Sequence, residues 1–335
     1  MPTLFDPGLS KTYDLPAHDS WPAARHRFEP RSVWAVRAAL GAGRPLLLRG
    51  EPGIGKSQLA RAVAAVLEVP FLYHVVDERS ERDDLLYAYD AVSRLAQAQV
   101  SALIAKDDPT NWRETLHERN FIRPSVLWWA FDWASAKQQA ERFGTACRPC
   151  PEPVKPIGWT PMSDRPCGPV VLVDEIGKAD PSVPNGLLES LGNEGFNTAQ
   201  LGDAVRLPQG ARPPLVIITT NEERELPAAF LRRCLVLQMT FPSDAKEAKT
   251  FLIERARVFW DEKKISNAVC ERAVECLLQD RDDAGAGALA IPGAAEFLDI
   301  LRVLAELRDG DEKAQLAHFE QIKDFALKKN LSESQ

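Results

Sequence analysis

A glycine-rich loop near residue 50 constrains the fold of this chain more than any other feature of its sequence. The loop, Gly50-Glu51-Pro52-Gly53-Ile54-Gly55-Lys56-Ser57, follows a short apolar run at residues 45–49 and precedes a stretch whose apolar residues recur at helical spacing. Glycines let successive backbone N–H groups curl around an anion, and the positive end of the following helix attracts the same anion. The order of strand, loop and helix therefore predicts an α/β fold with a phosphate-binding loop.

The residues of this loop have predicted roles in holding a nucleotide. Lys56 is expected to bridge the outer phosphates, and the Ser57 hydroxyl is expected to bind magnesium. The pattern predicts ATP and Mg2+ as cofactors, with the nucleotide held by Gly50, Glu51, Pro52, Gly53, Ile54, Gly55, Lys56, Ser57 and Gln58.

Four further apolar runs complete the predicted sheet. They lie at residues 71–76, 170–173, 215–218 and 235–237, and helical or polar sequence separates them. Continuous apolar strands that alternate with helices are typical of a parallel sheet covered on both faces. We therefore expect a doubly wound, five-stranded parallel sheet.

Polar side chains follow two of these runs, at the sheet edge where ligands bind in open α/β folds. Asp174 and Glu175 follow the run at 170–173, and Asn221 comes shortly after the run at 215–218. Asp174 is expected to orient the magnesium through water, Glu175 to polarise the attacking water, and Asn221 to hold that water. The alternatives are that the carboxylates only begin a helix and that Asn221 only forms a turn.

The sequence changes character after residue 243. Helical periodicity at residues 246–263, 267–279 and 294–307 predicts a separate helical module, with a Gly/Ala loop at 284–290 and a last helix at 323–335. We expect three parts: an N-terminal extension (1–27), an α/β core (28–242) with an insertion near 134–168, and an α-helical lid (243–335). The proline-rich part of the insertion, at 147–168, is expected to be irregular.

Composition narrows the class of partner. A net charge of -7 argues against a dedicated nucleic-acid surface, and no apolar stretch is long enough to span a bilayer. The first ten residues lack a secretory pattern and the six cysteines are scattered, so we expect reduced thiols and a cytoplasmic location. Cys147 and Cys150 are spaced like zinc ligands, but a complete ligand set is lacking nearby, and free thiols are the favoured interpretation.

The motifs, in this order and at these intervals, resemble those of AAA+ ATPases of the MoxR-like, dynein-related branch. The resemblance runs from about residue 28 to the C-terminal helices, with residues 50–57 similar to the Walker A motif, 170–175 to Walker B and 219–221 to sensor 1. It implies a P-loop AAA+ core followed by a helical lid. It also implies ATP hydrolysis by a homo-oligomer, usually a hexameric ring, that acts on a protein partner such as a von Willebrand A-type protein.

The resemblance also assigns a residue supplied between subunits. Residues 226–233 are similar to the family segment that carries the arginine finger, which implies this role for Arg233, with Arg232 and Arg224 as alternatives. A solvated arginine pair that closes a helix is the competing interpretation. The family commonly has a basic residue near the start of a lid helix, whereas residues 291–294 contain none and Arg302 lies about two turns further on.

Two segments have open interpretations. Residues 193–207 are placed like the extra hairpin that this branch inserts before sensor 1, and the hairpin either faces a pore or partner or has no special role. Trp129 and Trp133 lie one helical turn apart, close to where the family places channel-lining residues, but such a spacing is more typical of core packing.

Three functions fit these observations to different degrees. The favoured hypothesis is an ATP-driven ring that remodels or assembles a protein partner. The alternative is a nucleotide-dependent switch or scaffold of a bacterial defence or signalling system with slow turnover. A nucleic-acid motor ranks last, because the chain is acidic and contains no recognisable nucleic-acid module.

Overall fold

The computed structural model describes residues 5–19, 21–104, 112–198, 200–284, 291–307 and 311–327. The chain forms two compact units. The first, here called the core unit, comprises Met1–Pro7, Pro30–Leu48 and Ala60–Leu237. The second, the lid unit, comprises Gly8–Glu29, Arg49–Leu59 and Gln238–Gln335, so the glycine-rich loop belongs with the C-terminal helices.

The strands of the chain form one large sheet and three small ones. Their bounds are β1 Thr12–Leu15, β2 Ala24–Arg27, β3 Leu46–Arg49, β4 Phe71–Val75, β5 Tyr87–Tyr89, β6 Ile122–Pro124, β7 Val170–Asp174, β8 Gly195–Phe196, β9 Val205–Arg206, β10 Leu215–Thr220 and β11 Leu235–Gln238. The large sheet has the order β11-β3-β10-β7-β4, and β7 runs parallel to both of its neighbours. The predicted five-stranded parallel sheet is confirmed.

The helices surround this sheet or form the lid unit. Their bounds are α1 Pro30–Ala42, α2 Lys56–Leu67, α3 Ala91–Ile104, α4 Trp112–Thr115, α5 Val126–Phe131, α6 Trp133–Ala146, α7 Ser182–Gly192, α8 Ala228–Arg233, α9 Ala245–Phe259, α10 Asn267–Ala284, α11 Ala294–Leu307 and α12 Glu312–Ala326. Within the residues that the structure describes, no helix is long and apolar enough to cross a membrane.

Burial explains why the central strands read as continuous apolar runs. All six residues of β10 are buried, as are the first four residues of β7. Side chains alternate between the two faces of a strand, so burial of consecutive residues means that both faces are covered. The carboxyl ends of β7 and β10 are therefore fixed by a rigid, dry sheet.

The lid unit has its own apolar core, formed by α9–α12. Its fully buried residues include Leu252, Val269, Phe297, Leu304 and Phe319. The Asp244 side chain accepts hydrogen bonds from the backbone of the first turn of α9, which explains where this helix begins. Burial of the apolar stripes of four helices accounts for this core, and the small sheet of β1 and β2 belongs to the same unit.

The C-terminal helices match the sequence prediction in three cases. Helices α9, α10 and α11 correspond to the predicted segments. The last helix lies earlier than expected, at Glu312–Ala326, because the Asp311 side chain caps its start and Phe319 anchors it in the core. Residues 285–290 of the predicted loop and 328–335 of the predicted last helix lie outside the described residues.

The aromatic residues near the insertion pack in the interior of the core unit. Trp129, Trp133 and Trp159 are at most 6% exposed. The ring of Trp133 lies 5.1 Å from that of Trp129 and 4.9 Å from that of Trp159, and its indole N–H donates to Glu152 at 2.7 Å. The core interpretation of Trp129 and Trp133 is confirmed, and Trp159 anchors a segment, 147–168, that has no helix or strand.

Two further expectations concern the hairpin at residues 193–207 and the state of the cysteines. Strands β8 and β9 form the predicted hairpin within residues 193–207, and Phe196 stacks on Tyr87 at 6.3 Å and packs edge-on against Trp128. The cysteines are free thiols, and burial raises the pKa of both Cys147 and Cys150. The described residues contain no group of three or more His, Cys, Asp or Glu side chains that can hold a metal.

Candidate active site

The carboxyl ends of β7 and β10 bring the predicted polar residues together. Residue Val173 of β7 pairs with Ile218 of β10, which places Asp174 beside Thr219. The Thr219 hydroxyl donates to the Asp174 carboxylate at 2.5 Å and accepts the backbone N–H of Glu175 at 2.9 Å. Thr219 is fully buried, so it fixes both acidic residues from the interior of the sheet.

Glu175 has an unusual backbone conformation. Its φ of 61° and ψ of 41° lie in the left-handed region, which residues other than glycine seldom adopt. This turn ends β7 abruptly and projects the carboxylate away from the strand. Backbone strain at such a position persists only where the surrounding structure enforces it, as the Thr219 hydroxyl does here through the Glu175 N–H.

Two side chains hold the carboxylate of Glu175. The Asn221 amide donates to one carboxylate oxygen at 3.1 Å, and the Lys178 ammonium lies 2.5 Å from the other. The carboxylate raises the pKa of Lys178, chiefly through their hydrogen bond. Glu175 and Asn221 are therefore adjacent, as predicted, and Lys178 is a partner that the sequence analysis missed.

The candidate arginine-finger residues differ in their surroundings. Arg224 donates to the backbone carbonyl of Lys178 at 3.3 Å and lies 3.9 Å from Glu78. Arg232 and Arg233 end α8 with exposed side chains, and Arg44 donates hydrogen bonds to their backbone carbonyls. The guanidinium groups of Arg232 and Arg233 make no hydrogen bond or ion pair to any residue that the structure describes.

The glycine-rich loop in the lid unit has the backbone of an anion cradle. Gly50, Gly53 and Gly55 all have positive φ angles, of 145°, 74° and 99°. A Cβ atom on Gly50 would lie 1.9 Å from the Met239 carbonyl oxygen, and one on Gly53 would lie 2.8 Å from the Ala295 side chain. Glycine is therefore required at both positions, and the loop packs tightly against the segments that contain Met239 and Ala295.

The charged side chains of this loop have partners in the lid unit. The Lys56 ammonium is buried and donates to the carbonyl oxygens of Gly50 and Glu51 at 2.7 and 2.9 Å. The Glu51 carboxylate pairs with Arg281, whose guanidinium also lies 4.0 Å from the Phe241 ring centre. Arg281 thus ties α10 to the loop, a contact that the sequence analysis did not foresee.

The residues present suit a magnesium nucleotide. The positive-φ glycines leave a concave backbone with its N–H groups at the start of α2, and a buried ammonium is adjacent, which is the donor set for phosphate. The Ser57 hydroxyl of the lid unit is a type of oxygen ligand that Mg2+ accepts, and so, taken separately, is the Asp174 carboxylate of the core unit. Gln58 has a buried side-chain oxygen without a hydrogen-bond partner among the described residues.

Helix α11 has no basic residue near its start, where the family commonly has one. The backbone N–H of Gly293 donates to the Glu296 carboxylate at 2.8 Å, which caps α11 with an acidic group. Arg302 lies further along α11, where its exposed side chain is 3.4 Å from Asp299. The structure therefore does not support Arg302 as a replacement for the basic residue that the family commonly has near the start of a lid helix.

The chain matches one family model and is similar to several solved structures. Residues 45–234 match the model of the AAA domain family, dynein-related subfamily. No curated protein matches the chain. Among solved structures, a candidate ATPase from Cytophaga hutchinsonii is 13% identical with a TM-score of 0.34, covering 88% of this chain and 79% of that chain. The RuvB Holliday junction branch migration motor of Thermotoga maritima is 13% identical with a TM-score of 0.32, covering 88% and 74%.

Proposed function

Because the chain belongs to the dynein-related subfamily of AAA domains, we propose that it hydrolyses Mg-ATP with Glu175 as the residue that polarises the attacking water. The observation that carries this proposal is the position of the Glu175 carboxylate. It projects from a left-handed turn at the end of β7, and the Asn221 amide lies within hydrogen-bond distance. A carboxylate and an amide can together orient one water molecule for in-line attack on a phosphate.

The remaining roles follow from the chemistry of each side chain. The backbone of residues 50–57 and the Lys56 ammonium bind the phosphates, and Lys56 exchanges its two carbonyl partners for phosphate oxygens. Ser57 and Asp174 hold Mg2+, which neutralises charge on the phosphates when it is bound. Thr219 keeps Asp174 and Glu175 in place through its two hydrogen bonds.

Arg233 is the proposed cation that a neighbouring subunit supplies. Its side chain is exposed at the end of α8, and its backbone is fixed by Arg44. An arginine that is held rigidly at its backbone but has no partner within the described chain suits a contact with a second copy. Each site is then completed by the next subunit, and such head-to-tail contacts close into a ring, for which we propose six subunits.

The ring is proposed to act on a protein partner rather than a nucleic acid. The acidic balance of the chain disfavours phosphate-backbone binding. By family, a MoxR-like chaperone function with a von Willebrand A-type partner is the specific form of this proposal. The hairpin of β8 and β9 is the surface that we assign to partner or pore contact.

A switch or scaffold with slow turnover remains the second candidate. Two observations favour it: residues 291–294 contain no basic residue, and Lys178 pairs with Glu175 at 2.5 Å. In a switch, this ion pair would hold the Glu175 carboxylate and slow turnover, whereas in the ring ATPase it would position the carboxylate for the attacking water.

Assembly and turnover distinguish these functions when they are measured together. Specific ATPase activity is followed across a protein concentration series, beside molecular mass with and without ATP, for the wild type, Arg233→Ala and Arg232→Ala. The ring ATPase predicts activity that rises with assembly and falls at least a hundredfold in Arg233→Ala alone. Negligible turnover in every assembly state, with ATP still driving oligomers, would identify the switch.

A further inference from the structure

Arg255 lies on α9, and its side chain is mostly buried within the lid unit. Its side chain is 24% exposed and lies 3.3 Å from the Glu29 carboxylate. The guanidinium also covers the ring of Phe251, at 4.3 Å from the ring centre. Its Nε atom is buried and has no hydrogen-bond partner among the described residues. A buried cationic donor without an acceptor is costly, so this group calls for a physical explanation.

The position of Arg255 beside the glycine-rich loop provides that explanation. A Cβ atom on Gly55 would lie 3.2 Å from the terminal nitrogen Nη1 of Arg255, the nearest side-chain atom to that point. The backbone N–H groups of such a loop cradle the phosphates. The guanidinium of Arg255 therefore borders the space that phosphates are expected to fill.

Two other arginines of the lid unit already have partners. Arg281 is bound by the Glu51 carboxylate and by the Pro292 carbonyl, and Arg302 pairs with Asp299. Burial lowers the pKa of Arg255, and Glu29 opposes this effect, so a further anion would favour its charged form. A phosphate at the loop supplies such an anion.

We propose that Arg255 binds the polyphosphate of the nucleotide and thereby connects the lid helix α9 to the occupied loop. This inference rests on the proposed nucleotide site. It places a phosphate-binding cation of the lid unit on α9. Residues 291–294, before and at the start of α11, contain no basic residue that could take this role. The guanidinium would donate to phosphate oxygens beside Lys56, and its stacking on Phe251 would hold it in place.

A purely structural role for Arg255 makes a different prediction. In that role, the side chain would only hold Glu29 and the neighbouring hairpin of β1 and β2. Glu29→Gln removes the same ion pair from its other side, so it should then reproduce the effect of Arg255→Gln. Lys249 gives a matched control, because it is an exposed cation on α9 that pairs with Glu271 at 3.2 Å.

The test is calorimetric binding of ATP to the full chain, beside competition by inorganic tripolyphosphate. The proteins are the wild type, Arg255→Gln, Arg255→Lys, Glu29→Gln and Lys249→Gln, with thermal unfolding measured for each. We expect Arg255→Gln to weaken ATP and tripolyphosphate by the same factor, about ten- to a hundredfold, because one charged hydrogen-bonding group is lost. Arg255→Lys, which keeps the charge, should recover part of this loss, and the other two variants should stay within about twofold of wild type.

Three results would overturn the inference while the nucleotide site stands. These are normal ATP affinity in a folded Arg255→Gln or Arg255→Lys, weakened ATP binding with unchanged tripolyphosphate binding, and an equal loss in Glu29→Gln. If Arg255→Gln does not fold, the Arg255→Lys protein is used in its place. A measurable loss of affinity for both ligands then supports the inference, and full affinity overturns it. Absence of ATP binding by the wild type would instead refute the proposed function itself.

Discussion

Glu175 shows how single residues prepare this site. Its backbone is forced into the left-handed region, and its carboxylate has a neutral donor, Asn221, on one oxygen and a cation, Lys178, near the other. The two partners restrict the rotamers that the carboxylate can adopt. Orientation of a reacting group contributes strongly to rate, so both partners should matter for turnover more than for stability.

The first prediction concerns Lys178→Met. Loss of the ion pair should lower the kcat for ATP several-fold, because the Glu175 carboxylate loses a positioning contact. The pair is partly exposed, so the free energy of unfolding should change by less than about 1 kcal/mol. Steady-state kinetics and denaturant unfolding check both parts, with Lys249→Met as the control. An unchanged or raised kcat would show that Lys178 does not position the carboxylate.

The second prediction concerns the pH dependence of the lid unit. Burial, aided by the charge of Arg255, lowers the pKa of His26 from 6.5 to about 4. The unfolded chain therefore binds a proton in this range that the folded chain does not, and stability should fall as the pH drops from 6.5 to 4, by up to ~3 kcal/mol.

His26→Phe should remove this contribution. Compared with wild type, its unfolding midpoint should change less between pH 7 and pH 4.5, and the comparison at pH 8, where His26 is neutral in both states, isolates the packing effect of the substitution. Parallel pH profiles for the two proteins would contradict the prediction.

Sequence reasoning reached some of these residues and not others, for a physical reason. Asp174, Glu175 and Asn221 follow apolar strands, and parallel strands place such residues at one edge, so their proximity was predictable. Arg255 and Arg281 reach the loop only because separate helices pack against it. No local pattern encodes such a contact.

At the scale of elements, Trp159 connects an irregular segment to the helices beside it. It is buried against Trp133, while the segment around it, residues 147–168, has no helix or strand. The backbone there depends on side-chain anchors rather than on a ladder of hydrogen bonds.

The third prediction is that Trp159→Ala will destabilise the core unit by about 3–5 kcal/mol, because it leaves a cavity beside Trp133. Protease cleavage within 147–168 should become faster. Trp34→Ala is the matched control: Trp34 is 67% exposed, and its loss should have little effect. Equal stability of the two variants, measured by thermal unfolding, would refute the anchoring role of Trp159.

Elements differed in how well the sequence predicted them. Strands β3, β7 and β10 are apolar on both faces and were readily identified. Strands β1 and β2 were missed because each has only four residues, most of them polar and only partly buried or exposed. Their position depends on contacts with α9, such as that between the Arg27 side chain and Glu254, which lie far apart in sequence.

At the scale of the whole molecule, the two units do not follow the linear order of the chain. The glycine-rich loop belongs with residues 8–29 and with the C-terminal helices. Close backbone contacts at Gly50 and Gly53, together with the pairing of Glu51 and Arg281, explain this grouping. The loop that we expect to bind phosphates is thus part of the lid unit, so nucleotide binding should act directly on that unit.

The central claim is that this chain hydrolyses ATP through Glu175. The most direct measurement is steady-state ATP turnover by wild type and Glu175→Gln, with ATP binding to both proteins measured in parallel. We predict that the variant binds ATP with wild-type affinity and loses at least a hundredfold in turnover, because an amide cannot take up a proton from the attacking water. Turnover equal to that of wild type in a variant that binds ATP normally would contradict the claim.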